Sequence, residues 1–97
     1  MNRLQKKQID LGLAAGLDVA MYANPEFDNL QMNEIRKGLM SGVDVSIYAK
    51  PDFEDSQMSE IRKGLEEGLD VTGYAKPDLT RYEMRKIRKQ LEKTFSL

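Results

Sequence analysis

The block from Gln31 to Phe53, QMNEIRKGLMSGVDVSIYAKPDF, returns 26 residues later from Gln57 to Leu79 as QMSEIRKGLEEGLDVTGYAKPDL, with 16 of 23 positions identical. A weaker copy from Gln5 to Phe27, QKKQIDLGLAAGLDVAMYANPEF, keeps 11 of the 23 in the same register, and a fourth begins at Glu83 as EMRKIRKQLEK. Self-similarity at so short a period is the mark of units that stack, each burying against its neighbour what it cannot bury alone. The expected fold class is all-α: an α-solenoid of three 26-residue units (5–30, 31–56 and 57–82), each a long helix and a short helix, with a capping helix over 80–95. The 97 residues make one domain, large enough for a continuous core but marginal for any unit alone.

The spacing within a unit sets these elements. Met32, Ile35 and Leu39 recur at i, i+3 and i+7, as do Met58, Ile61, Leu65 and Met84, Ile87, Leu91, so each triplet lies on one helical face. In LTRYEM, Thr80 and Glu83 form a capping box inside a staple of Leu79 and Met84; FDNLQM repeats the device with Asp28, Gln31, Phe27 and Met32. Glu54 is a poor cap, so Asp55 or Ser56 is expected to start the third long helix.

Gly16, Gly42 and Gly68 are expected at C′, in the left-handed conformation of a Schellman motif, with Leu17, Val43 and Leu69 folding back on the last turn. Asp18, Asp44 and Asp70 then cap a short helix of about one and a half turns, ended by the restriction that Pro25, Pro51 and Pro77 place on the preceding residue. An extended segment lining one face is the alternative. Glycines also recur inside the long helices, at Gly12, Gly38 and Gly64, where each costs about 1 kcal/mol relative to alanine. Three in register imply a close approach by a neighbouring element. Gln90 replaces them where no unit follows, and Lys6 replaces the core methionines where none precedes. With Thr94, Phe95 and Leu97 these substitutions are expected to be closures at the two ends of a complete chain.

The consensus Q-M-x-E-I-R-x-G-L-x-x-G-L-D-V-x-x-Y-A-x-P-x-F resembles the uncharacterised short helical repeats of Gram-positive bacterial proteins and their mobile elements. The resemblance covers nearly the whole chain and implies a helical superhelix. It carries over no catalytic residue, cofactor or ligand.

Composition narrows the chemistry. Neither cysteine nor histidine is present, which removes disulfides, thiolate chemistry, the usual zinc ligands and the commonest general base. No phosphate loop, nucleophile–base pair or metal spacing is found, so no catalytic, cofactor or metal residue is assigned. Asp18, Asp44 and Asp70 read as caps rather than a cation-binding row, and Tyr22, Tyr48 and Tyr74 as core rather than a ligand ladder. No run approaches the roughly 18 apolar residues of a membrane span, and no signal peptide is evident, so a cytoplasmic location is expected.

Charge is what remains. The net charge is -1, but residues 80–97 hold six basic and two acidic residues, against nine and fourteen in residues 1–79. Arg36 and Lys37, Arg62 and Lys63, and Arg88 and Lys89 take equivalent positions; Lys50 and Lys76 form a second row, and Arg85 and Lys86 thicken the end. Stacking would align them as a ridge for an anionic partner. The alternative is a solvated face, neutralised by Arg62–Glu66, Arg88–Glu92, Glu34–Lys37 and Glu60–Lys63 pairs. The leading expectation is a monomeric, non-enzymatic protein–protein interaction module whose partner presents an acidic surface. Next comes a nucleic-acid-associated or regulatory protein acting through the ridge and the basic terminal helix; third, a mobile-element-encoded inhibitor of a host enzyme.

Overall fold

The structure, a computed structural model that describes residues 1–95 apart from the Phe95 side chain, contains four long helices: α1 (Arg3–Ala14), α2 (Asn29–Ser41), α3 (Asp55–Glu66) and α4 (Arg81–Phe95). Single 3₁₀ turns, Val19–Met21, Val45–Ile47 and Val71–Gly73, lie between them, and there is no strand among the described residues. The closure expected of Phe95 and Leu97 lies outside the described residues.

Each helix starts where an oxygen at the cap and an amide or carboxylate at N3 satisfy two otherwise orphan N–H groups. The Gln31 N–H donates to Asp28 Oδ1 (2.8 Å) and the Asp28 N–H to Gln31 Oε1 (2.9 Å). Thr80 and Glu83 make the same exchange at 3.1 and 3.0 Å. Asn2, which the sequence reading did not assign, does so with Gln5. α3 departs from expectation. Its cap is Glu54, whose N–H donates to Gln57 Oε1 (2.8 Å), and Asp55 is its first helical residue. Register decides this, because Gln57 is fixed by contacts made later in the chain.

The helices end as expected. Gly16, Gly42 and Gly68 have φ of 72°, 77° and 75°. The following N–H groups of Leu17, Val43 and Leu69 return to the Gly12, Gly38 and Gly64 carbonyls at 2.9, 3.1 and 2.9 Å, the long bond of a Schellman motif. The short element is smaller than expected, three residues of 3₁₀ turn rather than one and a half turns of helix. At Tyr48 the backbone already leaves helical geometry (φ -126°, ψ -4°), and the Lys50 N–H folds back onto the Tyr48 carbonyl (2.7 Å). Asp44 and Asp70 cap this turn through the Ser46 and Thr72 N–H (both 3.1 Å) and accept from their hydroxyls at 2.5 and 2.7 Å. Asp18 faces Ala20, which has no hydroxyl, and makes no side-chain cap bond.

Successive long helices run in the same direction. The Gln5 Nε2 donates to the Phe27 carbonyl (2.6 Å), Gln31 to Phe53 (2.6 Å) and Gln57 to Leu79 (2.7 Å), so the start of each helix holds the entrance to the next. Tyr22, Phe27, Met32, Ile35, Val45, Tyr48, Phe53, Met58, Ile61, Val71, Tyr74 and Met84 form one buried cluster, with Ile9 and Ile87 packed against its ends. The molecule measures 43 × 26 × 16 Å. No helix among the described residues is long and apolar enough to cross a membrane.

Candidate interaction surface

The glycines inside the helices and the tyrosines of the 3₁₀ turns belong to one arrangement. Tyr22, Tyr48 and Tyr74 have no solvent exposure, and their hydroxyls donate to the Gln8, Glu34 and Glu60 carbonyls at 2.6, 2.7 and 2.8 Å. Each hydroxyl lies over a helix glycine: a Cβ built on Gly12, Gly38 or Gly64 would lie 2.0–2.1 Å from it. Burial raises the pKa of all three phenols above the ordinary tyrosine value. The tyrosines are core, as expected, and offer no ladder to a ligand.

The arginines are also turned inward, which divides the expected ridge. Arg36 Nε donates to Gln8 Oε1 (2.9 Å) and Arg62 Nε to Glu34 Oε2 (2.9 Å), while Arg88 Nη2 stands 3.4 Å from both Glu60 oxygens; each pair is 28 residues apart. Arg88 is only 6% exposed and holds Glu67 and Glu92 through Nη1 at 2.8 Å. Burial alone would lower the pKa of Arg62 and Arg88; their carboxylate partners more than offset it and raise both. Glu67 and Glu92 meet at Arg88 Nη1. Burial and then the neighbouring Glu92 carboxyl raise the Glu67 pKa, while the Glu67 carboxyl lowers that of Glu92. Asp70 is lowered by the Thr72 hydroxyl and N–H. The expected Arg62–Glu66, Arg88–Glu92 and Glu34–Lys37 pairs form (2.8, 2.8 and 3.7 Å), whereas Glu60 turns to Arg88 instead of Lys63. Arg36, Arg62 and Arg88 therefore tie each helix to the one before it, and of the paired positions in the expected ridge only Lys37, Lys63 and Lys89 remain outward.

Lys37, Lys63 and Lys89 are exposed and lie at the centre of the outward helical face, in line with Leu11. That face carries Leu4, Lys7 and Leu11 on α1, then Leu30, Asn33, Lys37 and Met40 on α2. On α3 it carries Ser56, Ser59, Lys63 and Glu66, and on α4 Tyr82, Arg85 and Lys89. Its first half is apolar, with Leu4, Leu30 and Met40 at 56, 53 and 60% exposure; its second half is cationic around Tyr82, 69% exposed. Lys86 is exposed on the side of α4 that no further unit covers. Lys50 and Lys76 sit on the connecting segments, apart from the helix face. No protein-family model, curated protein or solved structure matches the chain. Geometry must therefore carry the functional reading. Among the described residues no group of histidines, cysteines and carboxylates is placed to hold a metal.

Sequence reasoning missed the second duty of Gln5, Gln31 and Gln57, although a signal was present. Gln5, Gln31 and Gln57 carry an amide, which can both accept and donate; the fourth copy carries Glu83, a carboxylate that accepts the Thr80 N–H and holds no later carbonyl among the described residues.

Proposed function

We propose that the chain is a non-enzymatic protein–protein interaction module, a monomeric α-solenoid of three 26-residue units closed by α4, which works in the cytoplasm and binds an acidic protein surface through its outward helical face. One observation carries this proposal. Positions that build the fold recur from unit to unit, whereas two outward registers change beside the recurring Lys37, Lys63 and Lys89: Leu4, Leu30, Ser56 and Tyr82 occupy one, and Lys7, Asn33, Ser59 and Arg85 the other. Leu4, Lys7, Leu30, Tyr82 and Arg85 are exposed and Asn33, Ser56 and Ser59 half-buried; exposed tyrosine and arginine, with apolar side chains beside them, are the residue types from which interface anchors are drawn. Kinship with the short helical repeats of Gram-positive bacteria and their mobile elements is part of the proposal and accords with this use of the scaffold.

Crosslinking and mass spectrometry on the intact protein in its native host tests the idea. Crosslinks from Lys37, Lys63 or Lys89 to one protein are the expected result; an absence of protein crosslinks, or tight binding to duplex or single-stranded nucleic acid, overturns it. A nucleic-acid role through the basic ridge is the second reading, favoured by the exposed Lys37, Lys63, Arg85, Lys86 and Lys89. Reversal of Arg85, Lys86 and Lys89 to glutamate would abolish that binding and flatten its salt dependence.

A further inference from the structure

We propose that the groove between α3 and α4 receives a short acidic segment of a partner protein, with an apolar side chain of that segment on the ring of Tyr82 and its carboxylates against Lys63 and Arg85. This assignment rests on the interaction-module proposal and names the place and chemistry of contact.

The groove is lined by Ser56, Ser59, Lys63, Arg81, Tyr82 and Arg85, above the buried Glu60. Its depth comes from the sequence. The preceding unit holds Leu30 and Asn33 where α3 holds Ser56 and Ser59, so both positions shrink beside the largest exposed side chain of α4. Two small hydroxyl-bearing residues next to an aromatic ring leave a depression with donors on its floor.

The charge in the groove is unbalanced. Lys63 and Arg85 have no carboxylate partner among the described residues, and Glu60, the one acid in the lining, is turned to Arg88. Arg81 lies against Tyr82, with Nη2 donating to the phenol oxygen (2.8 Å) and its guanidinium carbon 4.9 Å from the ring centre. The contact sets a cation against the ring. A carboxylate is the ligand group that matches such donors, and tyrosine and arginine are among the residue types enriched at interface hot spots.

A boundary favours protein over nucleic acid. On the other side of Tyr82 and Arg81 lies a second groove, lined by Asp52, Glu54 and Asp78. A continuous polyanion running through the site would meet these carboxylates, whereas a peptide can end its acidic run at the tyrosine. Arg81 borders both grooves, while Lys63 and Arg85 stand on one side of the ring and the three carboxylates on the other.

The test uses the full chain and short synthetic peptides in which one Leu or Phe stands in a run of Asp and Glu, followed by fluorescence anisotropy. Binding is expected, weakened at least about tenfold by Tyr82→Ala, by Lys63→Glu with Arg85→Glu, and by Ser56→Leu with Ser59→Asn. The serine pair fills the groove with the side chains of the preceding unit and leaves charge unchanged. Lys50→Glu with Lys76→Glu is expected to change affinity less than about twofold. No peptide binding, equal losses in groove and connecting-segment variants, or an oligonucleotide of matched charge that outcompetes the peptide would overturn the assignment. Crosslinks to a partner protein confined to the Leu4, Leu30 and Met40 half of the face would overturn the groove while leaving the interaction module standing. Failure of the module itself shows separately, as no protein crosslink anywhere on the chain.

Discussion

The hydroxyl of Tyr48 occupies the space in which a side chain at Gly38 would begin: a Cβ there would lie 2.1 Å from the phenol oxygen and 2.6 Å from Val45 Cγ1. Glycine is thus required inside α2 for packing, against its own helix propensity. Gly38→Ala should destabilise the protein by about 1–3 kcal/mol, the range for overpacking, although alanine is the better helix former. Adding Tyr48→Phe removes the clashing oxygen and should recover part of the loss. A double-mutant cycle from denaturant unfolding measures the coupling, and additive effects would contradict the arrangement.

Gln57 accepts from the Glu54 N–H and donates to the Leu79 and Pro77 carbonyls (2.7 and 3.0 Å). Gln57→Glu keeps the acceptor and places a carboxylate against two carbonyl oxygens. The expected cost is about 1–3 kcal/mol at neutral pH. The reverse substitution, Glu83→Gln, should be nearly neutral, since Glu83 only accepts from the Thr80 N–H and holds no later carbonyl among the described residues. Stability of the Gln57→Glu protein should recover as pH falls toward about 4, where the new carboxyl gains a proton to donate; thermal unfolding across pH reads this directly.

The three arginines meet partners of rising charge and burial: Gln8 for Arg36, Glu34 for Arg62 and the buried Glu60 for Arg88. Substitution by methionine should therefore cost least at Arg36, about 0.5–1.5 kcal/mol as for a neutral hydrogen bond, and most at Arg88. There the loss should reach about 3–5 kcal/mol, because a carboxylate is left buried without its cation. Arg88→Met combined with Glu60→Met should regain most of it. Urea midpoints of the four proteins check the order.

Alkaline pH should unfold the protein through its tyrosines. Their folded pKa values are raised by burial, so the folded state holds protons that the unfolded state releases above about pH 10. The stabilisation is complete below that pH and is lost as pH climbs toward the folded values. In a Tyr82→Phe protein, which removes the exposed phenol, tyrosinate absorbance and helical circular dichroism should change together; ionisation of the core tyrosines before helix loss would refute the coupling.

Periodicity made the helices, their glycine ends and the shared interior of Ile35 and Ile61 legible from sequence, because a residue type recurring every 26 positions can be assigned a face without knowing the fold. Gly38 announced a close neighbour but not which atom it admits, since the phenol oxygen arrives from ten residues further along. Arg62 was misplaced for a different reason. Helical spacing puts it at the edge of the buried face, and only the position of the preceding helix decides whether such an edge meets water or Glu34. The groove beside Tyr82 was invisible in any single unit. It appears when Ser56 and Ser59 are set against Leu30 and Asn33, across two units at once.

Because each arginine finds its acceptor 28 residues back, excision of block 31–56 would hand Arg62 to Gln8, and excision of block 57–82 would hand Arg88 to Glu34, the new seam in either case made of parts already in use. Duplication of a block would work the same way in reverse. The reach of the molecule can thus be lengthened or shortened in fixed steps without a new core being invented, and an altered copy, such as the one that opens beside Tyr82, can be inserted at a chosen place along the row.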